Sequence, residues 1–177
     1  TAETNGFPGF EEFDETFAAR MAESGEFYDA IVPSGVTDDE RGWHDALHVD
    51  VMGTVRAIWK VTPWMRQQGA GAIVNIASIA GLEGGWPVSG YVGAKAAMIG
   101  YSRNLATSLA PSAIRVNVVA PGSIESPAGV WETVKQRNPD WYDSILASIP
   151  SGRLGTPEEV ANAVVFLASE KASWITG

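Results

Sequence analysis

The chain contains no cysteine, which removes disulfides, thiolate metal sites and cysteine nucleophiles from consideration. That absence also fits a reducing compartment. No apolar run approaches the roughly 20 residues that span a bilayer. The opening "TAETNGFPGF" has neither the basic start nor the apolar core of a signal peptide. Positive charge is scarce: 12 lysines and arginines stand against 21 aspartates and glutamates, for a formal net charge of −9. Such a balance repels phosphate backbones and anionic lipids. The expectation is a cytoplasmic protein with neither nucleic acid nor membrane as partner.

What is present suits one folded domain. The 177 residues are 45% hydrophobic and 19% charged, the profile of a globular protein and not of a disordered one. No repeat or low-complexity tract breaks the chain. Phe10, Phe13, Phe17 and Met21 recur at helical spacing. "YDAIVPSGV" (28–36) reads as a buried strand ending in a loop at Ser34–Gly35. From Asp38 to about Gln68 the pattern is helical, with Leu47, Val51, Val55, Ile58, Val61 and Met65 along one stripe. "GAIVNIAS" (71–78) is a second strand, residues 91–110 a helix of small and apolar residues, and "AIRVNVVAPG" (113–122) a third strand. Residues 123–150, with three prolines, form an excursion containing short helices. A further helix starts at Thr156, with Pro157 at its first position and Glu159 three residues after the cap.

Strands alternating with helices predict a parallel sheet covered on both faces. In such open α/β sheets ligands bind beyond the carboxyl ends of the strands, so the loops after them hold the candidate site. Ser78 ends the second strand, and Tyr91 and Lys95 stand four apart at a helix start, hence on one face. A free tyrosine titrates near pH 10, too high for a base at neutral pH, and a neighbouring ammonium favours its phenolate. With Ser78 bonding a substrate oxygen, the three suit proton transfer to or from an alcohol or carbonyl.

The Tyr-x-x-x-Lys pair is common on helices, and its surroundings make it specific. "IVPSGV", "WHDALHVDVMG", "GAIVNIASIAG", "YVGAKAA", "LAPSAIRVNVVAPGSIESP" and "GRLGTPEEVANAVVFLAS" follow one another in order, with Ser78 thirteen positions before Tyr91. Over nearly its whole length the chain resembles the short-chain dehydrogenase/reductase family. The resemblance implies an incomplete Rossmann-like α/β/α domain spanning 1–177, with the family's fourth to sixth strands recognisable and 123–150 as a substrate lid. It implies a hydride transfer between NAD or NADP and a small-molecule alcohol or carbonyl. Tyr91 would be the general acid/base, Ser78 would polarise the carbonyl, and Lys95 would assist the tyrosine and hold the nicotinamide ribose. Gly35, Pro121, Gly122, Ile124 and Ser126 would line the cofactor, Ser126 replacing the usual threonine. Asp50 stands where an asparagine usually supports a water relay to the lysine. The helices at 38–68 and 91–110 match the family's dimer-forming pair, so a homo-oligomer, dimer or tetramer, is expected.

The family's glycine-rich TGxxxGxG turn has no counterpart here, and "ASWITG" stops before the expected last strand. The expectation is a piece of a longer enzyme; a truncation that no longer binds dinucleotide and a divergent or non-catalytic scaffold stay open. Related dehalogenases also lack the glycine turn, but they replace the motif lysine with arginine, against which Lys95 counts. "HDALH" sets His44 and His48 four apart as in a zinc peptidase, without a third ligand in the sequence nearby, so a solvated helix face is expected and no metal. Trp86, Trp131 and Trp141 are candidates to wall a substrate pocket.

Overall fold

The computed structural model describes residues 38–127 and 129–177. The expected helix at Phe10–Met21, the strand at 28–36 and the loop residues Ser34 and Gly35 therefore lie outside the described residues.

Helix α1 (Glu40–Ala46) starts where Asp39, in extended conformation, accepts a hydrogen bond from the Gly42 amide at 2.7 Å, a side-chain cap on an otherwise orphaned donor. The chain then passes through a π-helical stretch, Leu47–Gly53, into α2 (Thr54–Gln68), which ends at Gly69 with φ of 71°. Only a residue tolerant of the left-handed region fits that stop. Strand β1 (Gly71–Ile76), helix α3 (Gly90–Leu109) and strand β2 (Ile114–Val119) follow. The excursion contains α4 (Val130–Arg137) and α5 (Pro139–Ser148), and α6 (Pro157–Ala168) precedes the carboxyl end. The cap foreseen for α6 is present in full, with Thr156 and Glu159 bonded reciprocally.

β1 and β2 pair in parallel, Gly71 opposite Ile114 through Ile76 opposite Val119. Side chains alternate across the pleat, and the two faces differ accordingly. On one face Ile73, Ile114 and Val116 pack against Ile58 of α2 and Ala106 and Leu109 of α3. Asn75 on the same face donates to Ser102 of α3 at 2.8 Å, so the one buried amide there has a partner. On the other face lies α6: Arg115 donates to the carbonyls of Leu167 and Ser169 at 2.7 and 3.0 Å, and Asn117 to that of Ile175 at 2.9 Å. Helix, sheet and helix thus form the three layers expected of a Rossmann-type domain, with two of the three foreseen strands described. The edge of β2 away from β1 receives the last residues, where Gly177 donates to Val116 at 2.8 Å and Val116 to the Thr176 hydroxyl at 3.0 Å.

One expectation needs correction. Residues 40–68 do run as a continuous helical rod, yet its foreseen stripe does not hold throughout. Val55 and Ile58 are buried, whereas Leu47 is 42% exposed. The wider π turn between Leu47 and Gly53 changes the residues per turn, so the 3.6 period slips phase there and Leu47 rotates outward.

Candidate active site

The carboxyl ends of β1 and β2 are held together past the strands themselves. Ala77 donates to the carbonyl of Val119 at 2.8 Å and Ile79 to that of Pro121 at 3.0 Å. This brings two loops, 77–89 and 120–129, to one place. Between them opens a cavity of about 380 Å³. Ser78, Tyr91, Lys95, Pro121, Gly122 and Ile124 all line it, so six of the sequence-derived candidates converge. A hollow of about 850 Å³ at the opposite end of the strands, beside Gly71, Ala113 and Trp174, contains none of these six.

Ser78 sits in extended backbone at the start of a short 3₁₀ turn, Ile79–Gly81, and its hydroxyl oxygen accepts from the Ala80 amide at 3.2 Å. Accepting through a lone pair leaves the hydroxyl proton to donate. Tyr91 and Lys95 lie on the first turns of α3, one above the other, with the Lys95 nitrogen 5.4 Å from the Tyr91 ring centroid. That separation is within range of cation–π attraction. Backbone contact fixes this arrangement. A Cβ on Gly81 would stand 2.7 Å from the Ala96 nitrogen and from the Lys95 carbonyl carbon, so only glycine lets the Ser78 turn lie against α3. A Cβ on Gly90 would stand 2.6 Å from the Gly42 carbonyl oxygen, which seats the start of α3 directly on α1.

Asp50 lies in the π-helical stretch and does not line the cavity; its carboxylate pairs with Lys95 at 2.9 Å. The two side chains are 27% and 14% exposed, so this pair is more than a surface contact. Its own backbone carbonyl accepts from the Thr54 hydroxyl at 2.9 Å. Asp50 therefore acts on the lysine through its side chain.

Ile124 is pinned by a bridge to Gly155, with Glu125 donating to the Gly155 carbonyl at 2.9 Å. Beyond it the chain turns away, and exposed Ser126 is not among the lining residues. Trp86, Trp131 and Trp141 do reach the cavity, while Glu83 and Glu125 are exposed. His44 and His48 stack at 5.8 Å on the exposed face of α1 and the π stretch. Sequence reasoning missed Val130, Val134 and Ser89, which also line the cavity. The two valines, four apart on α4, were legible as a helical apolar face. Ser89 was not: it is 2% exposed and its hydroxyl has no partner among the described residues.

Lys95 keeps two further N–H donors beyond the one given to Asp50. At Gly122 an added Cβ would meet nothing within 4 Å, so the backbone there lies open. Donors beside a flat, open stretch of backbone fit the ribose and ring end of a nicotinamide nucleotide. A glycine-rich turn for the phosphate end does not occur among the described residues.

Comparison with known proteins is consistent with this geometry. The family model described as enoyl-(acyl carrier protein) reductase matches residues 29–177. The 3-oxoacyl-[acyl-carrier-protein] reductase of Staphylococcus epidermidis is 39% identical over 151 residues, covering 81% of this chain and 60% of that protein. Levodione reductase superposes with a TM-score of 0.72 at 33% identity, over 78% of this chain and 55% of that one. A 3-oxoacyl-[acyl-carrier protein] reductase with bound NAD from Brucella melitensis gives a TM-score of 0.64 at 35% identity, over 76% and 47%. The chain thus spans a little over half the length of such relatives. With that match covering most of its residues, and the Ser78, Tyr91 and Lys95 side chains gathered at the strand ends, the chain belongs to the short-chain dehydrogenase/reductase family.

Proposed function

We propose that this chain carries the proton-transfer end of an NAD- or NADP-dependent oxidoreductase acting on a small alcohol or carbonyl compound, and that it works as a homo-oligomer. The observation that carries the reading is the single cavity at the strand ends into which Ser78, Tyr91, Lys95 and the Pro121–Gly122 backbone all face.

In the reducing direction the Ser78 hydroxyl donates to the substrate oxygen and polarises the carbonyl. When bound, the nicotinamide supplies the hydride for the carbonyl carbon. Tyr91 gives its phenolic proton to the oxygen as the C=O π pair moves onto it, which completes the alcohol. The phenolate left behind lies beside the Lys95 ammonium, whose charge stabilises it. Lys95 would hold the ribose hydroxyls with its remaining donors, Asp50 fixing where the ammonium sits, and Pro121, Gly122 and Ile124 would line the nicotinamide ring.

The test is Tyr91→Phe, assayed by NADH and NADPH oxidation with a panel of ketones. Losing a positioned acid/base costs about 10²- to 10⁴-fold in rate, and the unfolding midpoint should stay put because the ring remains. Activity surviving within a few-fold would remove Tyr91 from the proton-transfer role. Calorimetric titration of the 177-residue chain with each nucleotide accompanies it.

A further inference from the structure

The cavity that Ser78 and Tyr91 line is also walled by Trp86 and Pro87, which precede α3, by Val130 and Trp131 of α4, and by Trp141 of α5. Lys95 is the one charged side chain among the lining residues, and it is already paired with Asp50. With the remaining Lys95 donors assigned to the ribose, a carboxylate or phosphate on the substrate would find no second cation among the lining residues, and an unpaired charge in an apolar site is strongly disfavoured.

The indoles are more than bulk. Trp131 is 8% exposed, and its ring lies 5.8 Å from that of Trp141 at an interplanar angle of 48°. Asn138 is the only residue between α4 and α5. It donates its amide to Val134 at 2.7 Å and caps α5 by accepting from the Trp141 amide at 3.2 Å. That joint sets how the helices carrying the two rings meet. Two tilted indoles match the face and edge of another ring, where aromatic contact adds about 0.5–1.5 kcal/mol beyond burial. A flexible acyl chain would gain only the burial and would lose rotamer freedom. The cavity's 380 Å³ is near the small end for ligand sites, and the nicotinamide side shares it.

From these features we infer that the substrate is an uncharged ketone, or the matching secondary alcohol, bearing an aromatic or alicyclic ring seated against Trp86, Trp131 and Trp141. This deepens the oxidoreductase reading and rests on it. Trp131 and Trp141 thereby set specificity, selecting a compact ring over a linear 3-oxoacyl group or a keto acid.

The experiment uses the full 177-residue chain with NADP present and follows binding by saturation-transfer NMR and tryptophan fluorescence. The probes are 1-tetralone, the thioester acetoacetyl-N-acetylcysteamine and levulinate. The expected result is saturable 1-tetralone binding about tenfold tighter than either other probe. Trp141→Ala should weaken 1-tetralone about tenfold and the thioester less than twofold, and Trp141→Phe should restore most of the loss. Absence of saturable 1-tetralone binding, equal or tighter binding of the thioester or levulinate, or a Trp141→Ala effect equal for all probes would overturn the inference. Tyr91→Phe separates it from the underlying reading, because that variant should bind 1-tetralone normally and fail to turn it over. Tyr91-dependent turnover without ring preference sinks the ring subsite alone. Ring-selective binding with turnover independent of Tyr91 sinks the acid/base assignment and upholds the subsite.

Discussion

The position of Lys95 is set from two sides. Asp50 holds its ammonium at 2.9 Å, and the Gly81 turn presses on its backbone. An asparagine at position 50 could still offer an oxygen to the lysine but no charge. Charge-assisted hydrogen bonds contribute more than neutral ones, so Asp50→Asn should lower stability by about 1 kcal/mol in urea unfolding. The larger consequence is expected in the nucleotide's Kd, because the ammonium loses its fixed seat. An unchanged Kd would show that Asp50 is structural only. Gly81→Ala attacks the other side. Its new methyl group meets backbone atoms that have no rotamer to move, and overpacking of this kind costs about 1–3 kcal/mol. The Ser78 turn should lift from α3, so turnover should fall further than stability does. Equal unfolding curves for wild type and Gly81→Ala would contradict the close approach.

Among the elements, α6 illustrates how far local sequence rules reach. Thr156, Pro157 and Glu159 announced its start, and the structure adds Arg153, which grips both Glu159 oxygens at 2.9 and 2.5 Å. Hydrogen bonds from Arg153 and from the Thr156 amide hold the Glu159 carboxyl at about 2, below its usual 4.5. The unfolded chain therefore binds this proton more readily than the folded one. The stabilisation is whole above pH 4.5 and drains away as pH falls toward 2. Glu159→Gln should be less stable at neutral pH and should show a flatter stability curve across that acid window, read by far-ultraviolet circular dichroism in urea. A Gln variant with the wild-type acid slope would assign the effect elsewhere. β1, β2, α3 and α6 were legible because each carries its own period and punctuation. The phase slip in the π stretch was not. No proline or glycine precedes it between Asp38 and Leu47 except Gly42, which lies a turn earlier and packs against α3, so the stripe through Leu47 read as regular.

At the scale of the molecule, the grouping of Ser78, Tyr91 and Lys95 could be read from the chain because the three lie within eighteen consecutive residues. The pairing of Asp50 with Lys95 spans forty-five positions, and the meeting of α4, α5 and the loop before α3 depends on tertiary packing; neither leaves a local signal. The same distinction applies to Ser126, which is exposed and is not among the residues lining the cavity. Packing also leaves apolar surface outside the core. Trp59 is 62% exposed and Trp64 42%, both on α2 and beyond the exposed Leu47 and Val49. Large apolar side chains clustered on one helical rod mark an association surface more often than a solvated one. Burying them against a second copy of the chain would remove them from water at about 25 cal/mol per Å². Sedimentation velocity at micromolar concentration should therefore give a dimer or tetramer mass. The change Trp59→Glu should shift it toward the monomer while leaving the folded circular dichroism spectrum intact, because that side chain does not belong to the buried cluster of Ile58, Ile73, Leu109 and Val116. A wild-type chain that sediments as a monomer would exclude this surface as an interface, and an assembly untouched by the change would move it to another face.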